Sequence, residues 1–184
     1  MKNNYEGLKM EEKHKLEIKK PTGRFADLDK KGFAVMNIKY SNITHDRSLV
    51  QISKTIWALK PEGTELILGA VNEFTDAPEN VKEIAMHGDE RFFHVTSEND
   101  FHKTLLNWKA ESHVVTFFKK NEFSEVFTII SDFGNNKSSS FGFEGDYLLG
   151  FGKERLTIFI SDTHDSIEIW SSEANLKTVL GKLR

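Results

Sequence analysis

Three histidines in this sequence are each followed, two residues later, by a hydroxyl-bearing side chain. The pairs are His94 with Thr96, His102 with Thr104, and His164 with Ser166. An imidazole can take up or release a proton near neutral pH, and a neighbouring hydroxyl can hydrogen-bond an anionic oxygen. Two such pairs facing one pocket would supply an acid, a base and two hydroxyls for cleaving a phosphodiester.

The first and last of these pairs resemble the two-histidine phosphoesterases. The resemblance implies a hydrolase in which His94 and His164 are the acid–base pair, with Thr96 and Ser166 holding the phosphoryl oxygens. Two features depart from the family pattern. Asp165 stands where an apolar residue is expected, and His164 falls in a predicted turn rather than within a strand.

A short segment near the C-terminus carries three side chains that could ligate a divalent metal ion. These are Asp162, His164 and Asp165, and an imidazole with carboxylates suits such an ion. Asp and Thr are also the residues that a hairpin turn selects, because their side chains hydrogen-bond nearby backbone amides. We interpret the segment as a turn, and expect neither a metal nor a cofactor.

Other catalytic patterns are incomplete. Gly145 and Gly150 have the spacing of a phosphate-binding loop, but Phe151 stands where that loop requires lysine. We therefore interpret these glycines as strand ends or bulges. The chain has no cysteine, so disulfides, thiol catalysis and cysteine-ligated metal centres are excluded.

The charge pattern favours a protein partner. With 25 basic and 28 acidic residues the formal net charge is −3, which disfavours nucleic acid. Five acidic residues are expected on the exposed face of a sheet: Glu122, Glu125, Asp132, Glu144 and Asp146. Clustered carboxylates would speed association with a basic partner. The favoured function is a small non-enzymatic protein-binding module of the inhibitor, adaptor or toxin-neutralising immunity type; the alternative is the hydrolase.

Helical periodicity predicts four helices. They cover about 45–60 with Thr44 as N-cap, a short stretch from Pro78 to Gly88, Ser97 to about residue 110 including Trp108, and the C-terminal residues after Ser171 or Ser172. Alternating apolar residues predict strands at 33–40, around Phe92–Val95, and at Val114–Phe118, Val126–Ile130, Phe141–Tyr147, Leu156–Ile160 and Ile167–Trp170. Residues 64–74 fit either period, and we favour a strand.

These elements predict an α+β fold in which a mostly antiparallel sheet, concentrated in the C-terminal half, carries helices on one face and ends with a helix. Residues 1–22 are predicted to form a partly flexible arm containing a short edge strand near Ile18, and 23–184 a single domain. The charged N-terminus lacks the apolar core of a signal peptide, and no apolar stretch is long enough to span a membrane. We therefore expect a soluble cytoplasmic protein, whose oligomeric state the sequence leaves open.

Overall fold

The computed structural model describes residues 16–40, 45–71, 79, 81–87, 90–107, 112–133, 142–161 and 163–183. Within them lie eight strands and six helices, with short 3-10 turns at Gly23–Phe25 and Lys120–Glu122. The strands are β1 (Ile18–Lys19), β2 (Phe33–Lys39), β3 (Thr64–Val71), β4 (Lys82–His87), β5 (Glu90–Val95), β6 (Ser112–Lys119), β7 (Thr157–Ile160) and β8 (Ser166–Ser172). The helices are α1 (Ala26–Lys30), α2 (His45–Leu59), α3 (Glu98–Asn107), α4 (Phe123–Phe133), α5 (Gly142–Phe151) and α6 (Glu173–Leu183).

All eight strands form one antiparallel sheet in the order β1-β2-β8-β7-β6-β3-β5-β4. Strand β2, near the start of the chain, pairs with β8, near its end, from Phe33 opposite Ser172 to Lys39 opposite Ser166. Strand β3 lies between β5 and β6. The sheet therefore contains a pairing between segments that are distant in sequence.

Side chains alternate between the two sheet faces, and apolar residues are buried on both. On one face the strands pack with α2, α3 and α6, whose buried residues include Ile52, Phe101 and Leu176. On the other face they pack with α1, α4 and α5 through residues such as Leu28, Ile130 and Tyr147. The predicted α+β class, antiparallel sheet and C-terminal helix are confirmed. Two details of the prediction are wrong: helices cover both faces of the sheet and not one, and five of the eight strands, β1–β5, lie before residue 96, so the strands are not concentrated in the C-terminal half.

Several predicted elements are confirmed with their caps. The helix predicted at about 45–60 is present as α2. Residues 64–74 fit both a helical and a strand period, and the strand that we favour there is present as β3. Ser97 Oγ accepts a hydrogen bond from the Asp100 amide at 3.1 Å at the start of α3, and Ser172 Oγ accepts one from the Asn175 amide at 3.4 Å at the start of α6. The edge strand predicted near Ile18 is present as β1, paired with β2. Thr44 and Trp108 lie outside the described residues.

The strand predicted at Val126–Ile130 is wrong, because these residues belong to helix α4. Val126 and Ile130 are both fully buried on one helical face. Thr128 and Ser131 donate hydrogen bonds to backbone carbonyls one turn earlier, which keeps their hydroxyls bonded within the helix. Val126, Thr128 and Ile130 alternate as strand residues do, but Val126 and Ile130 are also four residues apart, which places them on one face of a helix.

The strand predicted at Phe141–Tyr147 is also wrong, since residues from Gly142 onward form helix α5; Phe141 lies outside the described residues. Gly145 and Gly150 lie inside this helix and not at strand ends. Gly152, just after it, adopts a φ of +74°, and its amide donates to the Leu148 carbonyl at 2.9 Å. This is the usual way in which a glycine ends a helix.

The short helix predicted to end at Gly88 is wrong, because residues 82–87 form the edge strand β4; Pro78 and Gly88 lie outside the described residues. These residues have good helix propensity, but pairing with β5 prevails over local preference. Within the described residues, no helix combines the length and apolar character needed to cross a membrane.

Candidate functional site

His94 lies on β5 and contacts neighbours that hold it in place. Its Nε2 lies 2.7 Å from a carboxylate oxygen of Glu65 on the adjacent strand, with both side chains about one-fifth exposed. Its ring packs at 4.8 Å, centroid to centroid, from Phe123 at the start of α4. Thr96 follows β5 and is exposed. These contacts fix the imidazole between the sheet and α4.

His164 lies in the turn between β7 and β8, as the sequence predicts. It is the one non-glycine residue among those described with positive φ, at 53°, and its amide donates to the Ser161 carbonyl at 2.8 Å. The side chain is only 5% exposed, and its ring lies 5.5 Å from that of His113 on β6. A residue in a turn is thus packed inward against a second histidine.

The structure does not bring His94 and His164 together. The sheet order places β6 and β3 between β7 and β5, a separation of three strand positions or about 14 Å at the usual strand spacing. Ser166 begins β8 and donates its hydroxyl hydrogen to Asp165. Neither histidine lines the cleft described below.

Asp165 organises the turn between β7 and β8. Its carboxylate accepts hydrogen bonds from the hydroxyls of Ser161, Thr163 and Ser166, and these bonds lower the pKa of Asp165 below its ordinary value. Asp162 lies outside the described residues. Among the residues that are described, no group of three or more His, Asp or Glu side chains is placed to hold a metal ion.

The five acidic residues expected on a sheet face lie elsewhere. Glu122 is in a 3-10 turn, Glu125 and Asp132 are on α4, and Glu144 and Asp146 are on α5. Their predicted location on a sheet is wrong because the segments that carry them are helical. These residues belong to the helical layer that covers the sheet face packed with α1, α4 and α5.

Three of these five carboxylates form ion pairs. Arg155, just before β7, contacts Glu122 at 3.4 Å and Glu125 at 2.9 Å. Its Nη1 also donates to the Phe151 carbonyl at 2.9 Å. Glu144 accepts a hydrogen bond from Arg24 Nη2. The acidic residues are therefore divided into a group around Arg155, a pair with Arg24, and Asp132 and Asp146 on their helices.

A cleft of about 320 Å³ opens where the Arg24–Phe25 turn, the start of α5 and the β7–β8 hairpin meet. We call it the β8 cleft. It is lined by Arg24, Phe25, His113, Glu144, Leu148, Phe159, Ile160, Ser161, Ser166, Glu168 and Trp170. Four segments, the Arg24–Phe25 turn, β6, α5 and the β7–β8 hairpin, thus form one concave surface.

Aromatic rings form much of the β8 cleft. Phe25 meets Trp170 edge-on at 5.4 Å between ring centroids, and Phe159 packs against the same cluster. Trp170 Nε1 donates to Glu168 Oε2 at 3.2 Å. Because Glu168 and Trp170 are two residues apart on β8, they lie on the same face of the strand. That spacing is the sequence signal that could have pointed to them.

The charges of the β8 cleft are only partly balanced. Arg24 is paired with Glu144 and lies over the Phe25 ring, 4.6 Å from its centroid. No ion pair joins Glu168 to another residue in the described part of the chain. Lys39 lies opposite Ser166 on β2. A cleft with an aromatic wall and an unneutralised carboxylate suits a cationic group.

The chain matches no protein-family model, no curated protein and no solved structure.

Proposed function

We propose that this protein is a non-enzymatic, cytoplasmic protein-binding module that takes a basic segment of a partner into the β8 cleft. It would be a module of the inhibitor, adaptor or toxin-neutralising immunity type. The observation that carries the proposal is the position of Glu168, an exposed carboxylate beside one buried and two partly buried aromatic rings, with no ion-pair partner in the described chain. The arrangement offers a partner both apolar contact and charge.

The physics of protein interfaces supports this assignment. Binding energy concentrates where a side chain fills an apolar pocket and excludes water from a polar contact. Acidic groups outside the pocket, such as Glu125 and Asp132, raise the rate of encounter with a basic partner without touching it. The cleft would then provide the anchor and the outer acids would provide the steering.

The first test is selection of binders from a random peptide library displayed on phage. We expect the enriched peptides to carry Arg or Lys, and the enrichment to disappear with the double variant Glu144→Gln, Glu168→Gln. The matched control is Glu173→Gln on α6, which removes one charge from an exposed pair with Lys177 at a residue that does not line the cleft, and should keep the same peptides. Enrichment of acidic or uncharged peptides would contradict the proposal.

The second test is the salt dependence of association with a selected peptide. Raising the ionic strength until the Debye length falls from about 10 Å to about 3 Å screens exposed charges. We expect the association rate constant, measured by stopped-flow fluorescence, to fall about tenfold over this range. An association rate constant that does not change with salt would count against a charged docking surface.

A further inference from the structure

We propose that the β8 cleft receives the guanidinium of one partner arginine, bound by Glu168. This inference rests on the proposed function and names the chemical group that the cleft selects. It also assigns Glu168 as the residue that determines specificity. Three observations carry it.

First, the edge of the cleft already holds a guanidinium. The Arg24 guanidinium donates a hydrogen bond to the Glu144 carboxylate and lies over the ring of Phe25. A planar guanidinium suits this site because it can bond a carboxylate at its edge while its face lies on an aromatic ring. The chain thus shows, with its own residue, that this part of the surface accommodates the group.

Second, Glu168 is a carboxylate beside aromatic rings, as Glu144 is, but no cation of the described chain is paired with it. Trp170 donates one hydrogen bond to Glu168 Oε2, which fixes the orientation of the carboxylate. A carboxylate can accept about four hydrogen bonds, so capacity remains for a bidentate guanidinium. The ring of Phe159, which also lines the cleft, provides apolar surface for the methylene groups and for the face of the guanidinium.

Third, the size and charge of the cleft fit one side chain. Its volume, about 320 Å³, lies at the lower end of the range for ligand pockets, about 300–1,000 Å³. Glu144 is neutralised by Arg24, and Glu168 is left with a single unbalanced charge among the described lining residues. One arginine balances that charge.

The experiment follows the indole Nε1–H resonance of Trp170 by NMR while N-acetyl-L-arginine methylamide is added to the full chain. The resonance is assigned with Trp170→Phe. We expect a saturable shift at Trp170 and none at Trp57, which stacks on Phe101 on the opposite side of the sheet. Glu168→Gln should weaken binding about tenfold, as expected for losing one charge-assisted contact, while Glu173→Gln should leave it unchanged.

Three outcomes would overturn the inference. One is the absence of a saturable shift at Trp170. Another is unchanged affinity in Glu168→Gln, provided that its indole spectrum shows the native fold. The third is tighter binding of free L-arginine than of the blocked form, because a partner side chain carries no free amino or carboxyl group.

Failure of the inference and failure of the proposed function are distinguishable. If basic peptides are selected and bind Glu168→Gln as well as the native chain, the module function stands and the arginine pocket is wrong. If no basic peptide is selected, the proposed function fails, whether or not N-acetyl-L-arginine methylamide shifts the Trp170 resonance.

Discussion

Gly69 on β3 illustrates how closely the sheet and its second helical layer approach each other. A Cβ atom at this position would lie 2.5 Å from the Tyr147 hydroxyl oxygen and 2.8 Å from Val114 Cγ1. Tyr147 comes from α5 and is fully buried, with its ring stacked on Phe92 at 5.7 Å. The absence of a side chain at Gly69 therefore allows α5 to rest on the sheet.

We predict that Gly69→Ala lowers the free energy of unfolding by about 1–3 kcal/mol, the usual cost of overpacking a core. The matched control is Gly181→Ala on α6, where a new Cβ meets no atom within 4 Å. That change should raise the free energy of unfolding by about 0.5 kcal/mol, because alanine favours the helix. Urea denaturation of both variants measures the two changes, and equal effects would contradict the packing argument.

Tyr40, just after β2, makes the stability depend on pH in alkaline solution. Burial raises the pKa of Tyr40 from 10.0 to about 12, against a smaller opposing effect of Thr55. The folded chain therefore keeps its phenol proton at a pH where the unfolded chain has lost it. Stability is unaffected by this group below about pH 10 and falls between about pH 10 and pH 12.

We predict that Tyr40→Phe removes this part of the alkaline instability. Relative to the native chain, the variant should gain about 1.4 kcal/mol per pH unit between about pH 10 and pH 12. The measurement is urea unfolding of both proteins across the alkaline range. Below about pH 9 the difference between them should be constant. A difference that stays constant up to about pH 12 would show that Tyr40 titrates normally in the folded chain.

At the scale of elements, Arg155 joins α4 to the segment between α5 and β7. Its side chain is 14% exposed and contacts Glu122 and Glu125, while Nη1 donates to the last residue of α5. Gly150 supports the same contact between helices, since a Cβ there would lie 2.7 Å from the Phe133 ring. The crossing of the two helices thus depends on one cation and one missing side chain.

We predict that Arg155→Met lowers the free energy of unfolding by about 1–3 kcal/mol, because it removes the hydrogen bonds that a largely buried guanidinium donates to Glu125 and to the Phe151 carbonyl. Lys177→Met is the matched control, since its pair with Glu173 is about two-thirds exposed on both sides and solvent screens it. Chemical denaturation should show a clear loss for the first variant and no measurable change for the second. Equal losses in the two variants would mean that the burial of Arg155 does not strengthen its contribution to the free energy of unfolding.

One of these two helices, α5, shows why local pattern was insufficient. Helix α5 carries Tyr147 and Phe151 into one apolar cluster and Leu148 into another. A helix surrounded by apolar neighbours does not confine its apolar residues to one stripe, so the usual periodic signal is lost. By contrast, α2, α3 and α6 have one solvated side, and their periodicity predicted them correctly.

At the scale of the whole molecule, the antiparallel sheet could be predicted because most of its strands alternate clearly. The second helical layer could not, because it depends on α4 and α5. The β8 cleft depends on tertiary placement even more. Arg24, Glu144 and Glu168 come from three distant segments, and no spacing along the chain brings them together. Of these three residues, the sequence analysis predicts only Glu144 as a binding residue.

The pairing of β2 with β8 has a consequence for synthesis on the ribosome. Strand β2 emerges early, yet its partner is translated only after nearly every other strand of the sheet. During that interval one edge of β2, a strand with apolar side chains on both faces, has no partner, a form prone to intermolecular association. A chaperone that shields this strand until translation of β8 would increase the yield of folded protein.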